Sequence, residues 1–124
     1  MEPAKELEMT RVLVCGGRSF TNAEMLWDTL DELEDISTII TGGARGADSL
    51  AVDYANERGI PTEVYPAQWI KYGKKAGYLR NKEMLRVGKP DVVIAFPGGR
   101  GTEMMIGLAE KAGVEVINVG NDPW

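Results

Sequence analysis

The chain has 124 residues, 44% of them hydrophobic, with a net charge of −5, one cysteine and no histidine. That length suits one globular domain; the missing histidines remove every His-based mechanism, and the lone Cys15 forms no internal disulfide and no zinc site, so no metal is expected. No apolar run approaches the roughly 20 residues of a membrane span, no signal peptide opens the chain and the acidic balance repels nucleic acid, so a cytoplasmic protein with neither membrane nor nucleic-acid partners is expected.

Residues 1–10, MEPAKELEMT, carry Pro3 and four charges without a continuing apolar face. They read as a mobile lead-in, with Met1 and Met9 both open as the natural start. Val12 to Cys15 is a short apolar strand closed by Gly16 and Gly17. Thr21 and Glu24 have the spacing of a capping box, and Met25, Leu26, Thr29, Leu30 and Leu33 follow at helical intervals. Ile36 to Thr41 is β-branched and reads as the second strand. Leu50, Ala51, Tyr54 and Ala55 share one helical face, which Gly59 caps and Pro61 terminates.

Thr62 to Tyr65 predicts a third strand, and Pro66 to Gly77 an irregular connection. A third helix is expected from about Ala76 to Val87, stopped by Gly88 and Pro90. The stretch VVIAFPGGRGT, Val92 to Thr102, is a buried strand halted at Pro97, a glycine turn, and a helix restarting at Thr102. Met104, Met105, Leu108 and Ala112 give that helix its apolar face, with Gly113 as its cap. Glu115 to Val119 is the fifth strand, and residues 121–124 are a tail to the domain at 11–120.

Strict alternation of strands and amphipathic helices predicts an α/β fold: a Rossmann-like, doubly wound, five-stranded parallel sheet with helices on both faces. Right-handed crossovers give the order 3-2-1-4-5, with the winding reversing between strands one and four, where ligands of such sheets sit.

Three Gly-Gly turns, each followed by an arginine, end strands one, two and four. They are Gly16-Gly17-Arg18, Gly42-Gly43 with Arg45, Gly46 and Asp48, and Pro97-Gly98-Gly99-Arg100-Gly101-Thr102. Free amides at a helix start, the positive end of the helix dipole and glycines that admit a ligand to the backbone all favour an anion. With four of seven arginines (Arg18, Arg45, Arg80 and Arg100) in or near glycine segments, positive charge gathers locally on an acidic molecule, which suits a small anion rather than a polymer. Two of Arg18, Arg45 and Arg100 are expected to face the ligand.

The dinucleotide fingerprint GxGxxG is absent after the first strand, and GGARGADS lacks the lysine of a P-loop. The motifs present instead resemble a known family. GGRSF after the first strand, GGARGAD after the second, the run Trp69, Gly73, Ala76, Gly77, Arg80 and Asn81, and PGGRGT after the fourth resemble the YspA-like branch of the SLOG superfamily, the Rossmann-like fold of Smf/DprA and LOG proteins. The resemblance spans about Arg11 to Val119. It implies a nucleotide or nucleotide-derived ligand, with no further cofactor required, and a homo-oligomer.

LOG enzymes cleave the N-glycosidic bond of nucleoside 5′-monophosphates with an arginine and a glutamate of the pattern PGGxGTxxE. By that resemblance Arg80 stands at the arginine, but Met105 stands where the glutamate would be. A thioether cannot stabilise the positive charge that builds on the sugar. Asp48 and Glu83 are substitutes in residue type, whereas Glu103 lies about 200° round the helix from Met105 at roughly 3.6 residues per turn. Arg80, Asp48 and Glu103 thus remain weak catalytic candidates and binding ranks above catalysis.

Each residue also has a plainer reading. Asp48 charges the start of its helix. Trp69 and Tyr72 pin the long connection to the core, with stacking on a base as the lesser alternative, while Lys71, Lys74 and Lys75 form a solvated face. Met104 and Met105 pack the helix or form a dimer seam, and Cys15 is a small buried hydrophobe. The expectation is a binding protein whose ligand phosphate meets the last helix, Arg100 and Arg80, with the sugar bordered by the first two glycine turns.

Overall fold

The computed structural model describes residues 10–119. The lead-in up to Met9 and the tail lie outside them. Five strands, β1 (Thr10–Cys15), β2 (Ile36–Thr41), β3 (Thr62–Val64), β4 (Val92–Ala95) and β5 (Glu115–Asn118), form one parallel sheet in the order β3-β2-β1-β4-β5. The helices between them are α1 (Ala23–Asp31), α2 (Ala47–Arg58), α3 (Ala76–Arg86) and α4 (Arg100–Lys111). Thr10, read as lead-in, is the first residue of β1 and pairs with Ile36.

Period-2 alternation divides the central strands between two cores. Val12, Val14, Ile39, Val92 and Ile94 pack with Leu26 and Leu30 of α1 and Ala51, Tyr54 and Ala55 of α2. Leu13, Cys15, Ile40, Val93 and Ala95 face the other way, against Met84 of α3 and Met105 and Ala109 of α4. Two helices therefore cover each face. Burying leucines such as Leu26 and Leu30, both fully inaccessible, stabilises by about 1.5–3 kcal/mol each.

Helix boundaries follow local chemistry, with three corrections. The N-cap of α1 is Asn22, whose Oδ1 accepts from the Met25 amide at 3.0 Å, so a single asparagine cap stands in place of the box expected of Thr21 and Glu24. An asparagine oxygen bonds the N3 amide from the cap position as well as a threonine does. The last helix starts at Arg100 rather than Thr102, with Gly99 as its N-cap, which puts Arg100 in the first turn. The connection expected to be irregular contains a helical turn, Trp69–Tyr72, and a 3-10 turn, Gly73–Lys75. As expected, α2 ends on Gly59 in the left-handed conformation (φ 71°), which satisfies the carbonyls of the last turn.

The winding reverses between β1 and β4, and backbone hydrogen bonds tie the turns together there. The Gly17 amide donates to the Pro97 carbonyl at 2.8 Å, and the Gly17 carbonyl accepts from Ala47 at the start of α2 at 3.1 Å. Glycines permit that approach. A Cβ on Gly17 would stand 3.0 Å from the Gly98 Cα, one on Gly16 would overlap the Ala47 side chain, and Gly46, at φ 79°, lies directly against the Gly17 carbonyl.

Candidate functional site

A crevice of about 470 Å³ opens off the carboxyl ends of β1 and β4. One wall is the turn after β1, with Gly16, Gly17 and Arg18; the opposite wall is the start of α4, with Gly99, Arg100, Gly101 and Thr102; Asp48, Arg80 and Asn81 complete it. Eleven residues read from sequence as ligand-binding or at the LOG glutamate position therefore meet in one place, Met105 among them.

The α4 wall carries a positive potential. No side chain caps the helix, so the amides of its first turn lack intrahelical partners and sum with the dipole. A Cβ on Gly99 or Gly101 would meet nothing within 4 Å, which leaves the backbone bare on the open side. Arg18 and Arg100 are both exposed at the rim. Thr102 is nearly buried, with its hydroxyl against Gly98, so it holds the turn as well as lining the crevice.

Arg80 is committed to the protein. Its Nη1 donates to the Gly42 carbonyl at 2.6 Å and its Nε to Asn81 Oδ1 at 2.9 Å. Burial lowers its pKa from the usual arginine value, Asp48 opposes that shift and Arg18 adds to it. An arginine stays protonated regardless. Asn81, 6% exposed, turns its amide nitrogen to the Met104 sulfur at 3.6 Å.

Asp48 sits in the first turn of α2, 7% exposed, and accepts from the Ala44 amide at 3.1 Å. Burial raises its pKa above the ordinary carboxylate value, against the lowering by the Ala44 amide and Arg80. It is the one carboxylate among the described crevice residues. Cys15 lines the floor nearby, its thiol pushed up to about 12 by burial and then by Asp48. It is neutral at pH 7 and serves as a packed hydrophobe.

Other expected residues fall outside the crevice. Gly42 is buried under the Arg80 guanidinium, and Gly43, Arg45 and Gly46 line none of it, so the turn after β2 contributes Ala44 and Asp48 instead of its glycine pair. The physical reason is that this turn supports its neighbours: Gly46 fits beneath Gly17, and Gly42 makes room for Arg80. Pro97 and Gly98 face an adjoining hollow. Glu103 is exposed and off the crevice, as its helical phase predicts, and Glu83 lines a different hollow with Tyr72. Met105 is 1% exposed within the α4 core, which removes it from any seam between subunits; Met104 faces the crevice.

Trp69 and Tyr72 correct the core-pinning expectation. They are 50% and 41% exposed, and Trp69 borders the crevice beside Lys74 and Gly77. Ala44, Gly77 and Tyr78 were missed as lining residues. The signal for Gly77 was present, because Gly77, Arg80, Asn81 and Met84 fall at i, i+3, i+4 and i+7 on one helical face. Among the described residues no three His, Cys, Asp or Glu side chains are grouped to hold a metal, and no helix is long and apolar enough to cross a membrane.

Comparison with known proteins follows this geometry. Residues 10–72 match the family described as YAcAr: YspA, cpYpsA-related SLOG family. Gene 61 protein of Mycobacterium phage D29 is 44% identical over 126 residues, covering 93% of this chain and all of its own length. Among solved structures, phosphoribosylglycinamide formyltransferase from Brucella melitensis is 17% identical with a TM-score of 0.43 over 75% of this chain, which spans about half (48%) of that enzyme. Glycinamide ribonucleotide transformylase 1 from Geobacillus kaustophilus is 18% identical with a TM-score of 0.44, over 86% of this chain and 70% of its own.

Proposed function

The chain belongs to the YspA, cpYpsA-related SLOG family, and from that premise we propose that it binds a nucleotide or nucleotide-derived anion in the crevice between β1 and α4. The observation that carries this reading is the uncapped start of α4, with Gly99 and Gly101 open to the crevice and both Arg18 and Arg100 at its rim. Bare amides, the helix dipole and two guanidinium groups converge on one volume, and a phosphate satisfies all three. Asp48 and Asn81 lie deeper, where a carboxylate oxygen and an amide suit sugar hydroxyls. Trp69 at the margin offers a ring face to a base.

The test is calorimetric titration with a panel of nucleoside 5′-monophosphates. Wild type binds at least one, and Arg100→Ala weakens it by about tenfold, or 1.4 kcal/mol, with an unchanged circular dichroism spectrum. Absence of binding by any nucleotide, mononucleoside or dinucleoside, would overturn the reading.

A second reading, hydrolysis of the N-glycosidic bond of a nucleoside 5′-monophosphate, has Asp48 in its favour as the crevice carboxylate. Its position speaks against it, since Asp48 already accepts from Ala44 and faces Arg80, which spends the negative charge that an oxocarbenium-like sugar requires. Incubation with the same monophosphates and chromatography for free base separates the two; binding predicts no release.

A further inference from the structure

The crevice is not a dead end. Where its two walls meet, a second hollow of about 610 Å³ adjoins it, and the two share Gly17, Arg18 and Gly99. Both volumes fall within the roughly 300–1,000 Å³ of small-molecule sites.

The boundary between them is formed by two glycines and Arg18. The two glycine turns touch there through the Gly17 amide and the Pro97 carbonyl, leaving no space for a side chain on Gly17, and Gly99 presents its bare face to the open side. Exposed Arg18 borders both hollows. Arg18 and the N-cap Gly99 of α4 thus sit between two spaces, with Arg100 on the crevice side.

The outer hollow has a different character. Among the described residues that line it only Arg18 is charged: Ser19 and Thr21 supply hydroxyls, Phe20 and Met25 apolar surface, and Asn22 an amide whose oxygen is engaged by the Met25 amide. Such a lining suits an uncharged ring with hydroxyl groups and offers nothing to a terminal phosphate.

Building on the nucleotide reading above, we propose that the anion is internal to the ligand: a phosphodiester or pyrophosphate lies across the Gly17–Gly99 saddle, with a nucleoside in the crevice and a second uncharged sugar or base in the outer hollow. A terminal monoester fills one side only. A bridged anion uses the shared Arg18 and the bare backbone of Gly99 while placing a substituent in each space.

The experiment compares adenine, guanine, cytosine and uracil nucleoside 5′-monophosphates with the symmetric dinucleoside 5′,5′-diphosphates of the same bases. The expected result is that the best diphosphate binds wild type at least about tenfold more tightly than the matching monophosphate. Ser19→Trp, which fills the outer hollow from an exposed position, brings the diphosphate down to the monophosphate's affinity and leaves the monophosphate unchanged. Thr21→Trp does the same by an independent route should Ser19→Trp not fold. Equal affinity of the two ligands for wild type, or parallel weakening of both by the tryptophan variants, overturns the bridged ligand and leaves nucleotide binding standing. Absence of binding by either class overturns both readings.

Discussion

The two ends of the sheet use arginine in opposite ways. At the amino edge Arg11 reaches Glu63 at 2.8 Å and the Gly88 carbonyl at 2.8 Å, while Arg58, the last residue of α2, pairs with Asp31 at 2.8 Å. At the carboxyl edge Arg18 and Arg100 border glycine backbone, and among the described residues neither joins an ion pair with a carboxylate. Charge that is matched within the fold contributes to stability, modestly when exposed. Charge left facing a crevice adds no such ion pair among the described residues, and it is the charge that the proposed anion would meet. Net charge hides this difference, because it sums charges without regard to where they lie.

The glycines sharpen the same contrast. Those at positions 17, 46 and 98 let loops touch, whereas those at 99 and 101 open onto space. Gly46→Ala is expected to produce the largest change, since its φ of 79° and ψ of −126° form a backbone conformation that costs alanine about 1–3 kcal/mol and the new methyl would press on the Gly17 carbonyl, adding about 1–3 kcal/mol of overpacking. Urea denaturation should register that loss, while Gly99→Ala leaves the unfolding midpoint near wild type. Equal midpoints for the two variants would erase the distinction between packed and open glycines.

The arginine comparison comes next in size. Arg11→Ala should lower stability by about 1 kcal/mol, a value kept small because the pair is partly exposed, and should leave nucleotide affinity alone. Arg18→Ala should do the reverse, weakening binding by about tenfold at constant melting temperature. Loss of stability from both, or of affinity from both, would show that the two edges do not divide the work.

The smallest effect is in pH dependence, where the edges should slope in opposite directions. Burial raises the pKa of Asp48 above 3.8, so the folded state holds a proton that the unfolded state releases; this contribution is present below about pH 3.8 and fades as pH rises through the folded value. Arg11 lowers the pKa of Glu63 below 4.5, so that contribution is present above about pH 4.5 and lost as pH falls. Urea midpoints measured from pH 3 to 7 for Asp48→Asn and Glu63→Gln, each subtracted from wild type, should therefore run with opposite sign. Parallel difference curves would refute the assignment.

Much of this architecture was readable in advance, because strand and helix periodicities are local. VLVC, STIIT and VVIA each advertise a strand, and Gly59 marks the end of a helix without help from elsewhere in the chain. Asn22 was passed over for Thr21 because adjacent residues both have capping side chains, and only the backbone path selects between them. The connection at 66–75 lacks the period that would reveal its short turns. Trp69 and Tyr72 read as core because aromatic residues usually are, yet the loop that carries them turns their rings outward.

The amino-acid sequence alone determined the alternation of strands and helices, the winding order, the glycine turns at three strand ends and the family. Those features depend on neighbours a few residues apart and on the handedness of crossovers. Only the tertiary structure decided that Gly46 supports while Gly99 opens, that Arg80 is bound to Gly42 while Arg18 and Arg100 stay at the rim, and that Asp48 shares a crevice with α4. Each of those outcomes is a distance between segments remote along the chain, set by how two cores pack on opposite faces of one sheet, and no local pattern encodes it.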